Sequence, residues 1–496
     1  MNTKQLKQKI LDLAIRGKLA PQDPNDESAT VLLERIRAEK ERFIKEKKIK
    51  KERPLRPIED EKALHQLPTQ WVWCKLGELA IKVGSGSTPR GGQSVYKTSG
   101  VKFIRSQNIY NNRLNLSDIA HISNEINEQM QGTVVKPRDI LLNITGASIG
   151  RSALVPSNFD CGNVNQHVSI IRSSNADLHP YIHKVITSDF TQSVIKKVQV
   201  GAAQEGLPAD KQKELLIPLP PLAEQRRIVA AIDSAFAVID EIERNKTDLQ
   251  TAVTAAKQKI LSLAIQGKLV PQDPNDELAE VVLARINAKK EQLLRDGRIK
   301  RNKKTITPIN NEEMQGYLIP ESWTIARLDE ICQLITDGTH QTPKYADAGF
   351  VFLSSKNVKS GKIDWDNIMY IPQELHDVLY ARLAPELGDI LLAKNGTTGF
   401  AAVVDKDCIF DIYVSLALIR TFKDEISPEY LRHIISSEVV QSHFRGNLKG
   451  IGVPNLHLEH IRSAIIPICS LAEQRRIVAA IESAFTQLDN IAEMLS

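Results

Sequence analysis

Apolar residues between 222 and 265 recur at steps of three and four. Val229, Ile232, Phe236 and Ile239 come first; after a slip near Ile242–Lys246 the stepping resumes at Leu249, Val253, Ala256, Ile260 and Leu263. This is a narrow seam of the coiled-coil kind. Neither Pro nor Gly interrupts residues 223–266, and Gly267 supplies a stop. The pattern predicts one helix roughly 65 Å long at ~1.5 Å per residue. Such a seam needs a partner in water, and the matching partner is the terminal pair, residues 471–496 plus 1–16. PQDPND (21–26 and 271–276) is turn chemistry. Further helices are expected after it, over about 27–50 and 277–300.

Elsewhere the pattern changes. Short β-rich segments (101–104, 140–144, 168–172; 350–353, 390–392, 414–419) are separated by Gly, Asn and Ser turns. Helical stretches follow at about 179–198 and 427–444. These two regions are expected to be α+β domains.

The helical blocks repeat. Residues 8–41 and 258–291 are identical at 25 of 34 positions, and residues 222–236 and 471–485 differ only at Asp233/Glu482. In the middle of the chain the LAEQRR block runs directly into the QKIL…DPND block. At the ends they are separated, the QKIL block opening the chain and the LAEQRR block closing it. This is the order of a circular, two-fold chain cut inside one of two equivalent elements, and it predicts termini that lie close together. The organisation expected is a helical segment 1–58, a domain 59–221, central helices 222–305, a second domain 306–470 and a closing helix 471–496. The two domains, 163 and 165 residues long, are each domain-sized. They share Pro-x-x-Trp at their start (Pro68, Trp71; Pro320, Trp323), Asp-Ile-Leu-Leu before a Gly-containing turn, and Ile-Pro at their end, and little else.

The length of 496 residues suits several domains. With 42% apolar and 25% charged residues the composition is that of a folded globular protein. No run of ~18 apolar residues is present, so no membrane span is expected, and no secretory signal is visible at the N-terminus. Five cysteines (Cys74, Cys161, Cys332, Cys408, Cys469) stand far apart without a CxxC pair. This disfavours a zinc site or a disulfide framework and favours a reduced, cytoplasmic protein.

Catalytic signatures are missing. There is no GxxxxGK[ST] phosphate loop, no Asp/Asn-Pro-Pro-aromatic tetrapeptide of an amino-methyltransferase, and no Pro-Cys of a cytosine methyltransferase. Asp389-Ile-Leu-Leu-Ala-Lys394 lacks the second acid that a nuclease metal site needs and reads as a buried strand entering a turn. Gly84–Arg90 is a lone glycine run, and Pro89 forbids a helix there. His167, His340 and His376 have no partner at metal-ligand spacing. No catalytic residues, metal site or cofactor site are assigned.

Binding chemistry is present. Arg35–Arg53 holds ten Lys/Arg against four acids, and Arg285–Lys304 nine against two, in a chain of net charge +5. Both runs precede a domain in equivalent places, as a phosphate-contacting surface would. Base edges are read by Arg or Lys for guanine, Asn or Gln for adenine, and Ser or Thr for either. The polar turns supply these types. The candidates are Ser87, Thr88, Arg90, Lys102, Arg105, Gln107 and Asn108 in the first domain. In the second they are Thr339, His340, Thr342, Lys344, Lys356 and Asn357.

The LAEQRRIVAAID blocks, the KIL-x-LAI-x-GKL-x-PQDPND blocks and the two diverged domains opening with Pro-x-x-Trp resemble the specificity subunit of Type I restriction–modification systems, over essentially the whole chain. The resemblance implies two pseudo-two-fold-related target recognition domains, separated by long antiparallel coiled-coil helices. Each domain would read one half of an asymmetric, gapped site in double-stranded DNA. The helices would fix the gap and dock two modification (methyltransferase) subunits. S-adenosylmethionine, ATP and Mg²⁺ would act in those and in the restriction (nuclease and translocase) subunits, with no catalytic site in this chain. The rivals are a stand-alone bipartite DNA-binding regulator and a coiled-coil scaffold without enzyme partners.

Overall fold

The computed structural model describes residues 2–58, 65–110, 112–199, 206–301, 307–310, 313, 317–359, 361–448 and 455–494. The chain divides into two compact units, Met1–Asn245 and Lys246–Ser496. The boundary falls at the slip in the hydrophobic seam.

One helix, Leu222–Ala264, runs unbroken for 43 residues. In the first unit the helix Thr3–Ile15 lies antiparallel to its first half. Lys7 pairs with Asp240 at 2.5 Å and Glu243 at 3.2 Å, and Leu11, Ala14 and Ile15 share a core with Ile228, Ile232 and Phe236. In the second unit the helix Leu471–Met494 lies antiparallel to the second half. Lys257 pairs with Asp489 at 2.5 Å, and Leu261 and Ala264 share a core with Ile477 and Ile481. Ile232, Phe236, Ile239 and Val253 are buried as the seam requires, but Leu249 is exposed. Thr3 reaches Glu243 and Asp489 reaches Lys257. The buried face is also wider than the seam, taking in Ile228 and Leu261, because each half packs on the α+β domain of its own unit as well as on its partner helix.

The basic helices are shorter than the sequence pattern suggests, Ala29–Lys45 and Ala279–Arg295. Both stop in a turn whose second residue has positive φ, Lys47 in one copy and Gly297 in the other. There the Lys48 N–H returns to the Phe43 carbonyl, and the Arg298 N–H to the Leu293 carbonyl, each at 2.9 Å.

Each unit then builds the same sheets. In the first, Ala80–Ser85, Val168–Ser173, Ile140–Asn143 and Ser152–Leu154 form an antiparallel sheet in that order. In the second, Cys332–Asp337, Leu416–Thr421, Ile390–Ala393 and Ala401–Val403 do the same. The Asp-Ile-Leu-Leu strand is buried along its whole length because both faces are covered. Ile140 and Leu142 face the helices, while Leu141 faces a smaller sheet with Val168 and Ile170. Ile390 and Leu392, against Leu391, repeat this. That smaller sheet contains a parallel pair, Val101–Ile104 with Gly162–Val164, or Phe350–Leu353 with Phe410–Ile412. A third pairing closes each domain where the chain enters and leaves it. Val72–Lys75 lies against Leu216–Leu219, and Thr324–Arg327 against Ile465–Ile468. The mixed α+β architecture is therefore present twice.

The expected helices 179–198 and 427–444 are each two helices, His179–Thr187 with Asp189–Gln199, and Pro428–Ile435 with Glu438–Gly446. No Gly or Pro marks the break. Ser188 and Ser437 make it, their hydroxyls donating back to the carbonyls of Val185 and Ile434, each at 2.6 Å, a local bond that competes with the helix. No helix among the described residues is long and apolar enough to cross a membrane. Cys74, Cys332 and Cys469 are buried, Cys161 and Cys408 partly so, and all five are free thiols.

Candidate nucleic-acid interface

Four polar loops converge at one end of the paired sheets in each unit. In the first unit they are Gly86–Arg90, Arg105–Asn108, Thr145–Ser148 and Asn165–His167. Gly86 donates its N–H to the Val168 carbonyl at 3.1 Å. The Thr88 hydroxyl bonds Gln166, and Gln166 meets the His167 ring at 2.9 Å. The other ring nitrogen of His167 meets the Thr145 hydroxyl at 2.6 Å. Asn143, at the end of the central strand, donates to the Ser106 carbonyl and the Ser148 hydroxyl at 2.9 and 3.1 Å.

The second unit repeats the arrangement with Gly338–Lys344, Ser354–Asn357, Asn395–Thr398 and Tyr413–Ser415. Thr339 donates its N–H to the Ile412 carbonyl at 3.1 Å and accepts from the Val414 N–H at 3.0 Å. The Thr342 and Tyr413 hydroxyls lie 3.4 Å apart. Ser355 donates its N–H to the Ser415 hydroxyl at 3.0 Å, and Thr397 reaches the Ser355 carbonyl at 3.3 Å.

The first loop of each set is pinned by a glycine. A Cβ on Gly86 would lie 1.8 Å from the Val164 carbonyl oxygen, and one on Gly338 would lie 2.0 Å from that of Ile412. Only a residue without a side chain lets the loop cross so close to the strand. Pro89 and Pro343 are buried beneath their loops, while Ser87, Thr88, Arg90, Thr342 and Lys344 are exposed.

The sequence candidates divide. Ser87, Thr88, Arg90 and Gln107 in the first domain, and His340, Thr342, Lys344 and Lys356 in the second, lie exposed on the rims. Thr339 is half-buried, with its backbone tied to Ile412 and Val414. Lys102 lies away from the loops on the smaller sheet. It pairs with Asp160 at 2.6 Å and holds that carboxyl below its usual pKa. Arg105 is half-buried over the Tyr96 ring.

Asn108 and Asn357 are corrections. Both are buried, and both amides are spent on their own loop. Asn108 accepts from the Arg105 N–H and donates to the carbonyls of Asn115 and Asp118. Asn357 accepts from the Ser354 N–H and donates to the carbonyls of Asp364 and Asn367. Each holds its turn in shape and presents nothing to a base edge.

Two of the four loops in each unit carried no binding candidate from the sequence. Thr145, Gln166 and His167, with Thr397 and Tyr413, sit beside the candidates only because strands far apart in sequence are neighbours. The turn after Asp-Ile-Leu-Leu was a shared landmark, and that was the available signal.

The basic runs also divide. Arg37 bonds Glu78, and Lys40 donates to the carbonyls of Gly77 and Ala80. Arg285 and Lys289 both hold Glu425. These staple the basic helix to the α+β domain of its unit. Lys45, Lys47, Lys50, Lys51 and Arg53 are exposed and form no ion pair with a described residue. Lys303 and Lys304 lie outside the described residues. Among the described residues no group of three His, Cys, Asp or Glu side chains could hold a metal ion. Asp389 is taken by Arg420, and Lys394 by Asp337.

The duplicated α+β unit, with its polar loop rim and helical connector, defines a two-fold repeated protein of mixed helix and strand. Residues 68–250 and 320–494 match the family described as the Type I restriction modification DNA specificity domain, and the chain belongs to that family. It is 28% identical to the Type I restriction enzyme EcoEI specificity subunit of Escherichia coli, over 99% of this chain and 90% of that protein. It is 26% identical to the EcoAI specificity subunit of the same species, over 97% and 88%. A chain from a structure described as the basis of complex assembly and conformational transition of the type I R-M system shares the fold. Its TM-score is 0.58 at 18% identity, covering 87% of this chain and 94% of that one.

Proposed function

We propose that this chain is the sequence-recognition subunit of a Type I restriction–modification complex in the cytoplasm. Each loop rim reads one half of an asymmetric, gapped site in double-stranded DNA. The helical connectors set the gap and dock two modification (methyltransferase) subunits, which restriction subunits join. The observation that carries this is the rim itself, four polar loops gathered twice on the same rigid sheet frame with different side chains on each. Exposed loops on a fixed scaffold can change their chemistry without unfolding it, and two different rims suit two different half-sites. S-adenosylmethionine, ATP and Mg²⁺ belong to the partner subunits in this reading.

The repeats support two copies of one partner. Val31 and Val281 are 47% and 45% exposed, yet occupy matching places in the two copies. Pro24 and Asn25, with Pro274 and Asn275, are likewise exposed and identical. The same exposed residues in both copies suit a face that meets the same partner twice.

The test is a genome-wide map of N6-methyladenine in the source strain, with and without the gene. Loss of one asymmetric, gapped motif on deletion is expected and gives the target directly. An unchanged map in a strain that expresses the methyltransferase would overturn the reading. Exchanging residues 59–221 for another such domain is expected to change one half of the motif and leave the other, and deleting one helical turn within 237–256 to change the gap alone.

A further inference from the structure

Three aromatic side chains are exposed among the described residues: Tyr110 at 40%, Tyr345 at 47% and Phe400 at 45%. All three stand at the loop rims. Tyr110 follows the Arg105–Asn108 loop, Tyr345 ends the Gly338–Lys344 loop, and Phe400 follows Asn395–Thr398. Tyr110 is the most elaborately held. It belongs to a small hairpin, Ile109–Tyr110 paired with Arg113–Leu114. Asn112 turns this hairpin at φ +66° and ties it to the central sheet by donating its N–H to the Ser152 carbonyl at 3.1 Å. The guanidiniums of Arg113 and Arg151 lie over the Tyr110 ring at 5.3 and 5.9 Å from its centre. Both arginines are exposed, and neither forms an ion pair with a described residue.

A guanidinium laid on a ring keeps its N–H edge free and has already lost much of its rotamer freedom, so less entropy is spent when it bonds an anion. Two such groups on one ring, beside a surface that accepts DNA, have the chemistry of a phosphate clamp. We infer that Arg113 and Arg151, braced by Tyr110, grip backbone phosphates of the DNA strand that crosses the first rim. This rests on the proposed reading of the rims as DNA-contacting. The grip fixes register and contributes affinity, and it reads no base.

The second unit lacks the clamp. Its equivalent hairpin, Val358–Lys359 with Lys362–Ile363, carries lysines. Lys359 is spent on Asp364 at 2.6 Å, and Phe400 stands where the first unit has Arg151. The two rims therefore hold DNA by unequal means.

The test uses the full chain assembled with its methyltransferase subunits, titrated over a range of salt. The probes are a duplex carrying the mapped motif and a mixed-sequence duplex of equal length. Arg113→Gln with Arg151→Gln is expected to lower the slope of log affinity against log salt by about 2, one for each phosphate left without its arginine. It should weaken both duplexes by at least about tenfold, leaving their ratio unchanged. Tyr110→Leu is expected to weaken binding severalfold with little change in slope, while Tyr110→Phe retains it. Lys359→Gln with Lys362→Gln should lower the slope by no more than about 1. If the wild-type complex does not prefer the motif duplex, the functional reading fails. If it does prefer the motif and the arginine pair can be removed without loss of slope, the clamp is refuted. A change in the ratio between the two duplexes would make these arginines base readers and would also overturn it.

Discussion

Asp139 receives Arg172 through two hydrogen bonds of 2.6 and 2.5 Å. Asp389 receives Arg420 through two of 2.8 and 2.7 Å. The Trp71 indole donates to Glu224 at 2.9 Å, as Trp323 does to Glu473 at 3.0 Å. The Tyr181 hydroxyl donates to the Pro218 carbonyl, as Tyr430 does to that of Pro467. Arg227 holds Asp26, as Arg476 holds Asp276. The exposed side chains of the rims agree less. Ile144, beside the first rim, is replaced by Lys394, which reaches Asp337, and the Thr145–His167–Gln166 chain has no counterpart among the hydrogen bonds of the described residues. The comparison teaches where divergence is cheap. A buried polar group left without its partner costs its full desolvation, so the frame changes only as complete sets. A rim side chain faces water and can change alone.

The largest effect expected is on the buried carboxylates. Asp139→Ala strands Arg172, at a cost of about 3–5 kcal/mol, whereas Asp389→Ala leaves Arg420 its second partner, Glu386 at 2.8 Å, and should cost less. Chemical unfolding should show a loss in both units, and a loss confined to one unit would break the comparison.

Next come His183 and His433, which burial holds below the ordinary histidine value of 6.5, at about 4 and about 3. The neutral rings suit the fold, and the unfolded chain takes up the proton first. Their contribution is therefore fully present above pH 6.5 and is lost as pH falls towards these values. For His183 the loss amounts to up to about 3 kcal/mol. His183→Gln should flatten the unfolding profile between pH 6.5 and 4, and an unchanged acid slope would exclude this origin.

Gly86→Ala and Gly338→Ala are expected to cost about 1–3 kcal/mol, as overpacking does. Each should abolish recognition of one half-site and spare the other, as read from the methylation pattern.

The smallest stability effect belongs to the rims. Thr88→Val and Thr342→Val should change stability by less than about 0.5 kcal/mol. Each is expected to relax base preference in a single half-site, and relaxation in both halves at once would show that the rims do not read separately.

Much of this was legible in the sequence. The long helix, the two repeats, the packing of a terminal helix on each half of the long one and the strands Val101–Ile104, Ile140–Asn143 and Phe350–Leu353 followed from apolar spacing and identity. These are local signals, because a helix face or a buried strand is written in consecutive residues. The breaks at Ser188 and Ser437 were not legible, since a serine ends a helix only when its surroundings favour the competing bond. Nor was the exposure of Leu249, which fits the apolar seam yet is not buried. The candidate site was half visible. Polar turns marked two of the four loops, yet Asn108 and Asn357 carry the same amide as a base reader, and only the packed turn shows that it is already used. Thr145 and His167 meet because Ile140–Asn143 pairs with Val168–Ser173, and Gln166 meets Thr88 because Ala80–Ser85 pairs with that same strand. Sequence by itself determined the elements and their duplication. Tertiary structure decided which side chains share a surface, because strand pairing brings together residues whose separation along the chain carries no periodic signal.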